Sequence, residues 1–266
     1  MSTRFGPLKK NDGSSAAKAA YSAQTIKHYY PESVDGVYWI DLPTVGPTQT
    51  YCIMTSSYDG GGWMLALKAN TSSIMFNYTA SYWTASNTFS SSAVNRDNGN
   101  AKFDCMNYFK ARDMMAIWPD ITTGTGGSIP GRGVWTWLQR DFYGGAKIEP
   151  TTFFNTVDRY FIRDAKTYSG WASGIFSSQT DVRFYGFNYR NDPGWARVRW
   201  GFGWNENGGG LFPFGNMASD DVFGGIGMKN LQQSNSDNGY SAGDRIACCQ
   251  DSTGINRAAR VELYIR

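Results

Sequence analysis

The chain predicts an α+β fold in which short antiparallel strands outweigh helices, and three observations carry that reading. The 31 glycines accompany 16% aromatic residues, made up of 10 Trp, 16 Tyr and 16 Phe, a pairing that suits an irregular, loop-rich sheet architecture better than long helices. Aromatic and β-branched runs at residues 37–40, 50–54 and 63–67 read as consecutive strands. The connections between them hold Pro43, Gly46 and Pro47, then Gly60, Gly61 and Gly62, all turn-forming residue types.

Taken in order, the chain opens with a polar segment. Residues 1–13 are punctuated by glycine and proline and include the pair Lys9 and Lys10. From Ser14 a capping residue precedes a run of helix formers that Pro31 stops at Tyr30. Ala17, Ala20, Tyr21, Gln24 and Lys27 or His28 recur at helical spacing, which gives a small and only partly apolar face. A helix of ~15 residues with such a face is marginal in water without a partner. The expectation is therefore an anchoring arm over residues 1–31, an extended segment plus a short helix, ahead of a single domain over residues 32–266 that no Pro-rich or Ser-rich linker interrupts.

Beyond the three strands, residues 70–104 are rich in Ser, Thr and Asn and read as surface loop. Residues 108–118 read as a short helical segment, and residues 135–142, 152–161 and 180–189 as further short strands or helices. No internal repeat is evident.

Charge and composition exclude several function classes. A formal net charge of +3 without any block of five like charges gives neither a nucleic-acid stripe nor a polybasic membrane patch. Arg183, Arg190, Arg197 and Arg199 are interleaved with aromatics, a pattern that can serve single-stranded nucleic acid but that cation–π packing at a core edge explains more simply. The amino terminus lacks an apolar signal region, and no stretch approaches the ~18 apolar residues of a membrane span, so assembly in a cytoplasm is expected. Four cysteines without CxxC spacing and a single histidine, His28, do not make a zinc site. The same shortage of histidine argues against His-based catalysis, and the adjacent Asp220 and Asp221 are not spaced as a catalytic carboxylate pair. The chain is expected not to be an enzyme.

The ordered set DGVYWIDL, Pro-containing turn, TYCIM, DGGGW and the following strand, over residues 35–68, resembles the opening of the fibrinogen C-terminal domain and its relatives, the ficolins and intelectins. GFGWNENGGGLFP at residues 201–213 and RAARVELYIR at 257–266 resemble the glycine-rich binding region and closing strand of intelectin-like domains. The run over residues 153–228, with FFNTVDRYFIRDAK, GWARVRWGFGWNENGGG and GGIGM, resembles virion structural proteins of marine tailed phages, the cyanophages among them. The resemblance covers residues 32–266. It implies one fibrinogen-like domain of short twisted antiparallel sheets, on a capsid decoration, head fibre or tail or baseplate fibre. It further implies contact with other virion proteins through the arm, homo-oligomerisation in the assembly and binding of host-surface glycans. A soluble carbohydrate-binding lectin acting in adhesion or defence is the alternative. In the animal relatives the cysteine matching Cys52 bridges to one in a Ser-Cys motif, which here reads Ser22-Ala23. That partner is missing, so free thiols are expected; Cys105 is the remaining candidate for a bridge to Cys52, provided the fold brings their Cα atoms within ~7 Å.

The candidate glycan site is Trp204, Asn205, Glu206, Asn207 and Phe214, where an aromatic face, hydrogen-bonding side chains and glycines that allow close approach converge. Trp204 reads equally as core, and Asn205 and Asn207 equally as residues that satisfy loop backbone. Intelectins hold a sugar-chelating calcium here, but the histidines and the Glu that follows the Phe-Pro are missing, with Phe214 after Pro213. Glu206, Asp220, Asp221, Asp237 and Asp244 remain as candidate calcium ligands.

Overall fold

In a computed structural model, residues 10–70, 73–120, 135–158, 160–161, 182–190, 196–204, 222–230, 240–247 and 260–266 are described. They form an α+β structure of antiparallel sheets with few helices. The first sheet is built from β1 (Gly36–Leu42), β2 (Gly46–Ile53), β3 (Trp63–Asn70), β4 (Ala101–Lys102), β5 (Met114–Trp118), β6 (Trp135–Gln139) and β12 (Arg260–Ile265). Its order is β1-β2-β3-β12-β5-β6, with β4 paired to β3. The second sheet runs β11-β10-β9-β8-β7, from β7 (Tyr160–Phe161), β8 (Val182–Arg190), β9 (Ala196–Trp204), β10 (Val222–Asn230) and β11 (Tyr240–Ala247).

All three strands expected over residues 37–67 form, each longer at one or both ends. Gly46 and Pro47 open β2 rather than lie in the turn, and Pro47, whose ring nitrogen has no hydrogen to donate, is tolerated near a strand start. The glycine triplet then turns the chain into β3. Gly60, Gly61 and Gly62 have φ of 86°, 77° and 77°, and a Cβ on Gly62 would lie 2.9 Å from the Gln24 Cα, so this turn can pack on the amino-terminal helix only as glycine.

Residues 10–30 are docked on the domain, not detached from it. The helix expected from Ser14 breaks into a 3-10 turn at Ala16–Lys18 and α1 (Ala23–Tyr29). Ser22, not Ser14, caps α1: its hydroxyl accepts the Thr25 N–H at 3.1 Å. The interruption has a cause. Ala20 pairs in parallel with Ile40, donating to Trp39 O at 3.0 Å and accepting from Asp41 N at 2.8 Å, while Trp39 N donates to Gly13 O at 2.8 Å. The segment thus covers the free edge of β1, and Ala20, Ala23 and Ile26 join the main core.

Two further expectations change. Residues 108–118 are not one helix: α2 (Asp104–Tyr108) ends where they begin, and Met114–Trp118 is the fully buried β5. The apolar run MMAIW is too short to tell strand from helix by periodicity alone. The polar stretch over residues 70–104 carries buried Phe76, Tyr78 and Trp83, because its aromatics close the core between the sheets. Trp83 Nε1 donates to Phe76 O at 3.0 Å, and Ser241 Oγ on β11 ties the same loop down through Ser73 O at 2.8 Å. Across the sheets, Trp118 lies 4.2 Å from Trp137, Trp137 5.8 Å from Trp200 and Trp200 5.4 Å from Phe187, measured between ring centroids.

Candidate functional site

The site residues expected from the sequence fall almost wholly outside the described residues. Asn205, Glu206, Asn207, Phe214, Asp220, Asp221 and Asp237 all lie there, as do Cys248 and Cys249. Trp204 is the last residue of β9 and Asp244 sits within β11; their backbones are described and their side chains are not. Among the described residues no cluster of three or more metal-ligating side chains occurs, and no helix is long and apolar enough to cross a membrane.

What the described residues do present is a cleft at the β1–β2 hairpin. It has a volume of about 280 Å3 and is lined by Trp39, Thr48, Gln49, Ser91, Ser92, Val94, Phe103 and Asp104. Cross-strand register builds one wall, since Trp39 lies directly opposite Gln49 and direct partners share a face. Ile40 and Leu42 alternate inward into the core at 0% and 3% exposure, which turns Trp39 outward with Val37 and Asp41. The opposite wall is the Ser91–Val94 loop, which follows Ser90 at φ 44° and is fastened by the Phe89–Lys102 bridge. Phe103, buried at 2%, forms the floor.

The polar groups of this cleft are notable for what they do not touch. Among the described residues, the side chains of Trp39, Thr48, Gln49, Ser91, Ser92 and Asp104 make no hydrogen bond or ion pair within the chain. Burial pushes the Asp104 carboxyl above its ordinary value, and the nearby Lys102 ammonium partly offsets that. Lys102 itself is fully buried, with Nζ donating to Ala85 O at 2.6 Å. Desolvation drives its ammonium down to about 7, against the favourable charge of Asp104. Sequence reasoning missed this cleft, although one signal was present: alternation along residues 37–42 puts the large ring of Trp39 on the face opposite Ile40 and Leu42.

A second depression, of about 240 Å3, is lined by Gln24, Arg112, Asp113, Arg140, Asp141 and Lys147. Its arginines are largely neutralised in place. Arg112 pairs with Asp141, and Arg140 with Asp59. Arg266 reaches both Asp59 at 2.5 Å and Asp113 at 2.9 Å. Each arginine already has an opposite neighbour, so this network reads as a clamp on the glycine turn rather than as an open anion site.

Cys52 and Cys105 are free and buried. Burial raises both thiols, Cys105 to about 12 and Cys52 well above its ordinary value, with the second thiol adding to the effect on Cys52. Neither is poised as a nucleophile, which requires a thiolate. His28, the lone histidine, is exposed on α1 and meets the Tyr29 ring edge-on at 4.7 Å.

The exposed large apolar side chains concentrate near the amino-terminal edge. Tyr21, Tyr29, Val34, Val37 and Val45 lie on or beside α1 and β1, with only Ile74 and Tyr143 elsewhere among the described residues.

No protein-family model matches the chain, and no curated protein matches it.

Proposed function

We propose that the chain is a virion structural protein of a tailed phage, a capsid decoration or fibre component whose fibrinogen-like domain recognises surface glycans and catalyses no reaction. The observation that carries the reading is the geometry of residues 35–70. An aromatic β1–β2 hairpin, a turn of three glycines at positive φ and a strand opening on fully buried Trp63 follow one another in the order that the family resemblance implies. The closing strand expected over residues 257–266 supplies β12, paired on both sides.

Attachment to neighbouring virion subunits is proposed through residues 1–9 together with the exposed apolar surface at Tyr21, Tyr29, Val34, Val37 and Val45. Repeated copies of the chain in one assembly belong to the same reading. Calcium is proposed on the acidic residues between Glu206 and Asp244; added calcium should raise the unfolding temperature and a chelator should reverse the rise, and an unmoved transition removes the ion from the proposal. A soluble carbohydrate-binding lectin acting in adhesion or defence is the second reading, favoured by the unpartnered polar cleft around Trp39.

The deciding experiment is mass spectrometry and antibody labelling of density-purified particles of the phage that encodes the chain. The protein should copurify in fixed stoichiometry and be labelled on intact particles. Its absence from particles, with recovery from the soluble lysate alone, would move the reading to the free lectin.

A further inference from the structure

We infer that the cleft between the β1–β2 hairpin and the Ser91–Val94 loop is a binding site for a single uncharged sugar ring, held on Trp39 and hydrogen-bonded to Asp104 and Gln49. The inference rests on the recognition reading for its expectation of a glycan, but it places the contact at a site separate from residues 201–214.

Three observations carry it. First, the cleft offers an aromatic surface that the fold has not used, because Trp39 is half-buried and turned away from the core by the alternation of β1. The apolar C–H face of a pyranose packs on such a ring, and the indole N–H stays available for a hydroxyl. Second, donors and acceptors converge without partners in the chain: the Gln49 amide, the Thr48, Ser91 and Ser92 hydroxyls and the Asp104 carboxylate. A half-buried carboxylate without hydrogen-bond donors is unfavourable, and two sugar hydroxyls satisfy it. Third, size and charge select within the carbohydrates. A volume of about 280 Å3 falls just below the range of ligand pockets, which run from about 300 to 1,000 Å3, so the cleft suits one ring rather than an extended chain. Asp104 is the one ionisable side chain in the lining, and its carboxylate disfavours acidic sugars.

The polar depression at Arg112 and Arg140 lacks any aromatic surface and has both arginines paired with carboxylates. It does not compete for this role.

The test is saturation-transfer NMR on the full chain with glucose, galactose, mannose, N-acetylglucosamine, glucuronate and choline, followed by titration of any binder. At least one neutral sugar should show transfer, with the apparent Kd raised at least tenfold by Trp39→Ala and severalfold by Asp104→Asn, while Ile74→Ala, at an exposed position outside the cleft, leaves it unchanged. Asp104→Asn keeps the shape of the side chain, so it decides the matter should Trp39→Ala fail to fold. Transfer to none of the neutral sugars, transfer surviving both variants, or preference for glucuronate or choline would each overturn the inference. Particle mass spectrometry is independent of all these outcomes: a protein present on particles that binds no neutral sugar refutes this site and leaves the virion reading standing, whereas sugar binding by a protein missing from particles does the reverse.

Discussion

The Arg266 guanidinium lies 4.0 Å above the centre of the Trp63 ring, so the chain's last residue seals the first residue of β3. The same guanidinium donates to Asp59 O at 2.6 Å and Gly61 O at 3.1 Å, and its side chain is only 10% exposed. Replacing it with methionine keeps much of the stacking area and removes the charge. The expected loss is about 3 kcal/mol, because Asp59 and Asp113 are left partly buried beside a missing cation. Chemical denaturation of Arg266→Met and of the double variant with Asp113→Asn measures it, and the double variant should recover part of the loss.

Asp59 predicts how the fold responds to acid. Burial pushes its carboxyl up, but the Arg140 hydrogen bonds and the Arg266 charge outweigh that and hold it below the ordinary value. A depressed carboxyl stabilises the folded state above its unfolded pKa of about 3.9, and that stability is lost as pH falls toward the folded value. Asp59→Asn should therefore flatten the fall in unfolding temperature below pH 4 while lowering stability at pH 7. An unchanged acid limb would show that other carboxylates govern it.

Lys102 gives a pH signature of the same sign in a different window. With its ammonium held near 7 in the folded chain and near 10.4 when unfolded, the unfolded state binds more protons between those values. Stability contributed at this position is thus lowest below pH 7 and rises toward pH 10. Lys102→Met should raise stability at pH 6 by about 1 kcal/mol or more, less the cost of the Ala85 carbonyl it leaves unpaired. It should also abolish the alkaline gain, as read from denaturant midpoints across that range.

The glycine turn gives a steric prediction. Gly62→Ala would place a methyl group 2.9 Å from the Gln24 Cα at a φ of 77°. A loss of about 1–3 kcal/mol is expected, together with loosening of α1 that hydrogen exchange at Ile26 and Tyr30 should detect. Unchanged exchange there would mean that the turn and the helix do not support one another.

Thiol chemistry supplies a further check. Cys52 and Cys105 should resist alkylation in the native protein and react fully once it is unfolded, since burial disfavours both thiolates. A disulfide between them, found by intact mass without reduction, would contradict the structure.

Much of the first sheet was legible in the sequence because β1, β2 and β3 are local, bounded by proline and glycine, and rich in aromatic and β-branched residues. β5 was not: MMAIW is buried along its whole length, so it has neither a period of 2 nor one of 3.6 to read. α1 was placed too early because Ser14 and Ser22 are equally good caps by type, and only the pairing of Ala20 with Ile40 chooses between them. The cleft was harder still. Trp39 and Gln49 are ten residues apart, but Ser91 and Asp104 reach them through a loop whose polar composition read as surface. That composition conceals aromatic anchors such as Phe76 and Trp83, which fix where the loop lies.

β12 lies between β3 and β5, pairing Leu263 with Leu67 on one side and with Ala116 on the other. A ribosome delivers both neighbours long before the strand that must join them. Until residues 260–265 emerge, β3 and β5 each show an open, apolar edge to solvent, and the closing contact must span nearly 200 residues of sequence. Such pairing is slow and leaves the nascent chain vulnerable to edge-to-edge association. Yield during expression should therefore depend on chaperone supply and growth temperature more steeply than the stability of the finished protein would suggest.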